Sequence, residues 1–182
     1  MNFIPEQPKI QTDVPYFDDV LSDGGWQGHT TQKTLQTLQS EIVTAISRLG
    51  GIVSGFHKGS FNAGETTRQG YRVFYSIQTP DNKLIPGQID IAALPVRYTE
   101  RTRNSYESRQ QKSMKMALYM LGVAINGLWF LQQLSPGYAP LMPFMLTGDG
   151  KTVSQLWSES NIMNNLLPPG EDFIEGEVKV IK

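Results

Sequence analysis

Six basic side chains lie within nineteen residues, in the segment from 97 to 115. They are Arg97, Arg101, Arg103, Arg109, Lys112 and Lys115. The same segment holds only two acidic residues, Glu100 and Glu107. The planar guanidinium group of arginine can pair with two oxygens of one anion, so a segment with twice as many arginines as lysines suits phosphate groups. The segment therefore predicts a surface for an anionic partner, and the alternative is a solvated helix face whose charges serve solubility.

Aromatic and small polar residues are interleaved with these cations. Tyr98 and Tyr106 offer rings on which nucleic-acid bases can stack. Asn104, Ser105 and Ser108 place hydrogen-bond donors where a helix is expected to begin, and a helix N-terminus attracts anions. Basic residues on the preceding strands extend the surface if the sheet adjoins this helix. The residues predicted to bind nucleic acid are therefore Lys58, Arg68, Arg72, Arg97, Tyr98, Arg101, Arg103, Tyr106, Arg109, Lys112 and Lys115.

The charge of the chain is distributed unevenly. The net charge of the whole chain is -1, but residues 1–57 carry -3, residues 58–115 carry +5 and residues 116–182 carry -3. A middle block of opposite sign to both flanks indicates a polarised surface, which bears on partners more than the total does.

Several catalytic chemistries are not supported by the sequence. Without cysteine there is no disulfide framework and no thiolate metal site. His29 and His57 are not at a spacing typical of metal ligands. The string GDGKT at 148–152 lacks the first glycine of a phosphate-binding loop, so we interpret it as a turn that caps a short helix. We therefore expect no catalytic residue, metal site or cofactor.

A metal-dependent nuclease is a minor alternative. A helix followed by three strands and a helix also begins the core of many nucleases, which place a metal-binding Asp on one strand and an acidic residue two before a Lys on the next. Asp90 lies on the third predicted strand, but no acid-x-Lys follows it. We expect Asp90 to pair with a nearby arginine such as Arg72.

These candidates are placed on an α+β fold by the hydrophobic pattern. Residues 1–29 read as an extended arm with turns, and Thr30 or Thr31 can cap a helix that Gly50 and Gly51 end. The apolar stripe of that helix is Leu35, Leu38, Ile42, Ala45, Ile46 and Leu49. Strands are predicted at 52–61, 71–78 and 84–94, with a candidate break in the third at Pro86 and Gly87, and short turns between them require an antiparallel meander.

A long helix follows the meander. It is predicted to start near Asn104 or Ser105 and to end at Leu134, and its second half is apolar nearly all round, which favours burial on several sides. The core domain is then 30–146, and residues 147–182 form short helices and an irregular tail packed on it. With 39% hydrophobic and 10% aromatic residues, the chain is expected to fold as one globular domain.

This order of elements resembles the core of the single-strand-annealing recombination proteins of phages and eukaryotes. The resemblance covers about 30–134 and rests on the element order and on the basic start of the last helix. It implies a ring or filament that holds single-stranded DNA in a basic groove between the meander and that helix, and annealing without metal or nucleotide. The double-stranded-RNA-binding domain shares the order, but it is shorter, and only KSMK at 112–115 is similar to its basic helix start.

The sequence thus predicts a nucleic-acid-binding protein, with single strands favoured and a role in recombination or in phage or mobile-element DNA metabolism. A non-enzymatic structural or assembly protein is the alternative, because the last third of the chain is rich in apolar residues. These residues are Leu141, Met142, Phe144, Met145, Leu146, Trp157, Ile162, Met163, Leu166 and Leu167. Both interpretations predict a homo-oligomer. No signal peptide is visible and polar residues interrupt the longest apolar run, so we expect a cytoplasmic protein without a membrane partner.

Overall fold

Helices and strands follow one another in the predicted order. The computed structural model describes residues 14–20, 25–63, 66–79, 81–135 and 137–159. The elements are α1 (Leu35–Arg48), β1 (Gly51–Ala63), β2 (Thr66–Gln78), β3 (Leu84–Ala92), α2 (Tyr106–Leu134) and α3 (Val153–Glu159), with 3-10 turns at Phe17–Asp19, Glu100–Ser105 and Met142–Phe144. The strands form one antiparallel sheet in the order β1-β2-β3, so the α+β class and the meander are confirmed. Parts of the predicted arm (1–13 and 21–24) and tail (160–182) lie outside the described residues.

The first helix begins later than the sequence predicted. Thr34, not Thr30 or Thr31, is the N-cap, and its side-chain oxygen accepts a hydrogen bond from the backbone N–H of Thr37 at 3.1 Å. Leu35 is consequently the first helical residue and is 37% exposed, which makes its assignment to the buried stripe wrong. The other predicted stripe residues are buried: Leu38, Ile42, Ala45, Ile46 and Leu49.

Tyrosines of β2 form the centre of the sheet's inner face. Tyr71, Val73 and Tyr75 are buried against the helices, as their alternation predicted. The hydroxyl of Tyr75 donates to the backbone oxygen of Leu141 at 3.1 Å, and burial raises the pKa of this phenol well above its usual value. The ring of Tyr75 fills the space where Gly87 would carry a side chain. The strand β3 runs through Pro86 and Gly87 without a break, since proline is tolerated on an edge strand.

The hairpin of β1 and β2 extends past the end of β3. The β1–β2 pairing continues to Ala63 and Thr66, whereas the β2–β3 pairing begins at Gly70. Arg68 secures this extension, because its guanidinium donates to the backbone oxygens of Ala92 and Ala93 at 3.0 and 2.8 Å. Burial lowers the pKa of Arg68 from its usual value. The hairpin is therefore fixed to the segment that leads into α2.

The long helix α2 is buried on one side only, contrary to the expectation of burial on several sides. It packs against α1, β2 and β3, and Met116 packs apart from this core against Phe17, Val20 and Leu94. The buried residues of α2 are Ser113, Met114, Met116, Ala117, Leu118, Leu121 and Ile125. Its second half exposes Val123, Phe130, Leu131 and Leu134. The helical stretch Glu100–Leu134 is long and apolar enough to cross a membrane by length and composition, and one third of its most apolar window is buried, but core helices of soluble proteins meet the same criteria.

Replacement of Leu38 by alanine tests the packing of α1. Leu38 is 1% exposed in the main core, so Leu38→Ala is expected to lower the free energy of unfolding by about 2–5 kcal/mol. The matched control is Leu35→Ala on the same helix, which should lower it by less than about 1 kcal/mol because Leu35 is partly in solvent. Urea denaturation of both variants measures the difference. Equal losses of unfolding free energy would contradict the finding that the buried stripe begins at Leu38 and not at Leu35.

Candidate functional site

A short N-terminal segment supports the basic stretch. The turn Phe17–Asp19 lies against the linker between β3 and α2, where the backbone N–H of Phe17 donates to the oxygen of Pro95 at 2.8 Å. Phe17 is buried in a second, smaller apolar cluster with Val20, Leu94 and Met116. The N-terminal segment is thus anchored to α2 by apolar contact, which places its two acidic residues beside the cations.

The linker is also tied directly to the first half of α2. The hydroxyl of Ser113, which is completely buried, donates to the backbone oxygen of Leu94 at 2.8 Å. One turn earlier, the guanidinium of Arg109 donates to the backbone oxygen of Arg97 at 2.9 Å. These two bonds fix how the basic half of α2 lies against the rest of the domain.

Two of the predicted binding arginines are paired with the N-terminal acids. Arg109 donates to the carboxylate of Asp18 at 2.6 Å, with 18% and 24% of the two side chains exposed. Arg97 pairs with Asp19 at 2.6 Å and lies over the ring of Tyr16 at 4.6 Å from its centre. These cations therefore have a structural role in the free protein.

Two further predicted residues have structural contacts on the sheet. Arg68 secures the hairpin, as described above. Arg72 forms a two-bonded pair with the carboxylate of Asp90, with distances of 2.7 and 2.8 Å, which confirms the partner expected for Asp90. Arg72 alternates with the buried Tyr71 and Val73, so it lies on the opposite sheet face from the helices. The structure does not bring Arg72 together with the basic half of α2.

Five predicted cations have no partner for their side chains within the described part of the chain. They are Lys58, Arg101, Arg103, Lys112 and Lys115. Lys58 lies on β1, paired with Tyr71 of β2. Arg101 and Arg103 lie on the 3-10 turn before α2, and Lys112 and Lys115 lie on α2 itself. Arg101, Arg103, Lys112 and Lys115 lie on one continuous helical segment, and together they are the unpaired row.

The two predicted stacking residues contact each other. The rings of Tyr98 and Tyr106 meet edge to face with centres 5.4 Å apart. Tyr98 is 59% exposed, so part of its ring remains open to a ligand. The helix α2 begins at Tyr106 with Ser105 as its N-cap, as predicted, but the 3-10 turn Glu100–Ser105 runs directly into it. The start of that turn is already capped, because the backbone N–H of Thr99 donates to Oγ1 of Thr102 at 2.9 Å. Asn104 and Ser105 therefore do not form the free helix end that the sequence suggested.

A pocket of about 520 Å³ opens beside the unpaired row and was not predicted. One wall is α2, with Arg109, Lys112 and Lys115, and the other consists of the turn Phe17–Asp19 and residues 29–32. The ring of His29 stacks on Phe17, with centres 4.6 Å apart and planes 11° from parallel. The spacing of His29 in the sequence argues only against a metal site, and nothing local links it to residues 80 positions later.

Metal ligands and the GDGKT segment were the other candidates for chemistry in the sequence. No group of three histidine or acidic residues that could hold a metal ion occurs among the described residues. The GDGKT segment is a turn, as predicted: Gly150 has a φ of 73°, and Thr152 caps α3 by accepting from the backbone N–H of Gln155 at 3.2 Å. His57 meets the ring of Phe74 edge to face.

Comparison with known proteins adds no relative. No protein-family model, no curated protein and no solved structure matches this chain.

Replacement of Arg109 by lysine tests its supporting role. Lysine keeps the charge but lacks the planar fork that reaches Asp18 and the oxygen of Arg97 together. We expect Arg109→Lys to lower the free energy of unfolding by about 1–2 kcal/mol in urea denaturation. Arg103→Lys, the same change in the unpaired row, should leave it unchanged, and an unchanged Arg109→Lys would contradict the role.

Proposed function

We propose that this protein binds single-stranded nucleic acid through the unpaired row and Tyr98, in recombination or in phage or mobile-element DNA metabolism. The observation that carries the proposal is the row itself: four cations of one helical segment lack acidic partners among the described residues. Such cations neutralise backbone phosphates and release counterions, which supplies most of the affinity for nucleic acid of any sequence.

The aromatic neighbour favours single strands. A base can stack on the open part of the Tyr98 ring only when it is not paired and stacked within a duplex. The order of elements is the feature on which the resemblance to single-strand-annealing proteins rests. Arg97 and Arg109 contribute to the electrostatic field only in part, because Asp19 and Asp18 neutralise them in the free protein.

Binding of a labelled oligodeoxynucleotide, followed by fluorescence anisotropy over a range of salt concentrations, tests the proposal. The logarithm of the binding constant should fall linearly with the logarithm of salt concentration, with a slope of about -3 for four phosphate contacts on a single strand. The double variant Arg101→Ala and Arg103→Ala should weaken binding and flatten the slope by about 1.4. Tyr98→Ala should cost about 1–3 kcal/mol with little change in slope, since stacking is not ionic.

Two charge changes away from the unpaired row serve as controls. Lys83 is exposed on the β2–β3 turn without a side-chain partner in the described structure, so Lys83→Ala removes an equally free cation. Glu159→Gln removes the acidic partner of Lys151. Neither should weaken binding or flatten the slope. The absence of salt-sensitive binding to DNA or RNA at low ionic strength would make the basic stretch a solvated face.

We propose, as a second candidate, an assembly protein without catalytic activity. The observation in its favour is the apolar stripe on the second half of α2, which comprises Val123, Phe130, Leu131 and Leu134. No charged residue occurs from 116 to 148. Apolar patches of this kind mark association surfaces. Leu141, in contrast, is buried in the core, which accounts for one of the apolar residues that suggested this function.

Light scattering tests the second candidate. We expect a mass above the 20.4 kDa of one chain at micromolar concentration, and Phe130→Ser should shift the protein toward the monomer. Leu84→Ser is the matched control, because Leu84 and Phe130 are both 61% exposed but lie on different elements. A wild-type protein that remains at 20.4 kDa would exclude self-association.

A further inference from the structure

We infer that the pocket beside the unpaired row is a phosphate-binding subsite. In the free protein, the carboxylate of Asp18 takes the position at Arg109 that a phosphate oxygen would take. This inference deepens the proposed function and rests on it for the source of the phosphate, a nucleic-acid backbone. It adds the 29–32 wall of the pocket to the binding surface and gives the acidic turn a role in binding.

The pocket has the size and charge that a nucleotide requires. Its volume of about 520 Å³ lies within the range of roughly 300–1,000 Å³ that is typical of small-molecule sites. Three cations line it, and Asp18 is the one carboxylate among its described lining residues. A net positive wall around a concave space raises the local concentration of anions.

Lys112 and Lys115 provide the free charges. They are three residues apart on α2, so their Cβ atoms are roughly 5–6 Å apart on the same side of the helix, and both ammonium groups can reach one phosphate. Neither ammonium group forms a hydrogen bond or an ion pair with another described residue, so a ligand displaces no internal bond from them.

The opposite wall provides hydrogen-bond donors and a ring. Thr31 accepts a hydrogen bond from the backbone N–H of Lys33 at 3.3 Å, which leaves its hydroxyl proton free to donate. Gln32 and Thr30 are exposed at the same wall. Phe17 covers one face of the exposed His29 ring, so a base can stack only on the other.

Arg109 is the cation for which a phosphate ligand competes with the carboxylate of Asp18. Its terminal nitrogens donate to Asp18 and to the backbone oxygen of Arg97, while its buried Nε has no acceptor among the described residues. A carboxylate supplies two oxygens and a phosphate supplies more, with the same geometry toward a guanidinium. The other oxygen of Asp18 accepts from the backbone N–H of Arg97 at 3.3 Å, and Phe17 anchors the turn by apolar contact. The Asp18 side chain can therefore leave Arg109 while the turn stays in place.

Neutralisation of Asp18 tests the competition. Asp18→Asn keeps the size of the side chain but removes the charge that holds Arg109, so affinity for a labelled oligothymidylate should rise roughly fivefold to tenfold. The salt slope should steepen by about 0.7, the share of one more phosphate. Asp90→Asn is the matched control: it changes the net charge equally and frees Arg72 from the same kind of pair, and affinity should stay within twofold of the wild type.

Lys112→Gln and a mononucleotide ligand provide a second test, which does not depend on the folding of Asp18→Asn. Lys112→Gln removes an exposed charge without an internal contact, and it should weaken binding of thymidine 5′-monophosphate, measured by NMR titration, more than Lys83→Ala does. Wild-type resonances of residues 29–32 and 109–115 should shift together in that titration. Scattered shifts, or equal effects of Lys112→Gln and Lys83→Ala, would overturn the subsite.

Different results would contradict the proposed function and the phosphate subsite. If the nucleotide binds in the pocket but no oligonucleotide binds with salt dependence, the proposed function is wrong and the phosphate subsite stands for a free nucleotide. If the oligonucleotide binds with salt dependence but Asp18→Asn and Asp90→Asn behave alike, the function stands and the subsite with its internal competitor is wrong.

Discussion

The ion pair between Arg109 and Asp18 is the constraint on which the candidate surface depends. It joins residues 91 positions apart and holds the N-terminal turn, the β3–α2 linker and α2 together. Both side chains are largely removed from water, so the pair stabilises only with good geometry and additional hydrogen bonds. The backbone oxygen of Arg97 and the apolar anchor Phe17 supply that geometry. Phe17 holds the two walls of the pocket together by apolar contact, and the pair lies between these walls, so the pair determines how much of the pocket's positive charge is free.

The contact between the N-terminal acids and the basic segment reduces the charge that the sequence pattern predicts for the surface. As a sequence, the acidic first block and the basic middle block are separate, which suggests a strongly polarised surface. In the structure, Asp18 and Asp19 of the acidic block lie on Arg109 and Arg97 of the basic one. Tertiary contacts thus neutralise part of the basic stretch, and what remains available is a shorter row of free cations. Net charge per segment overestimates the field wherever segments of opposite sign fold onto each other.

The sequence predicted what depends on local pattern and missed what depends on distant contacts. The alternation of Tyr71, Val73 and Tyr75 was sufficient for β2 and its buried face, because a strand has a period of two. The cap of α1 was wrong because threonines at 30, 31 and 34 are equally suited by type, and only the helix geometry selects Thr34. No local signal predicted that Asp18 would reach Arg109. The pocket depends on that contact, so it could not be predicted either.

The two candidate functions are connected by the division of α2 into unlike halves. The first half and the 3-10 turn before it carry the free cations, and the second half carries an uncharged, partly exposed apolar stripe. If copies of the chain associate through the second half, each copy adds another basic half to the same assembly. A single strand that contacts several such halves binds with an effective concentration set by their spacing, so weak individual contacts produce strong overall binding. Self-association would then be a means of binding a long polyanion, and loss of the apolar stripe would weaken nucleic-acid binding without removing any cation.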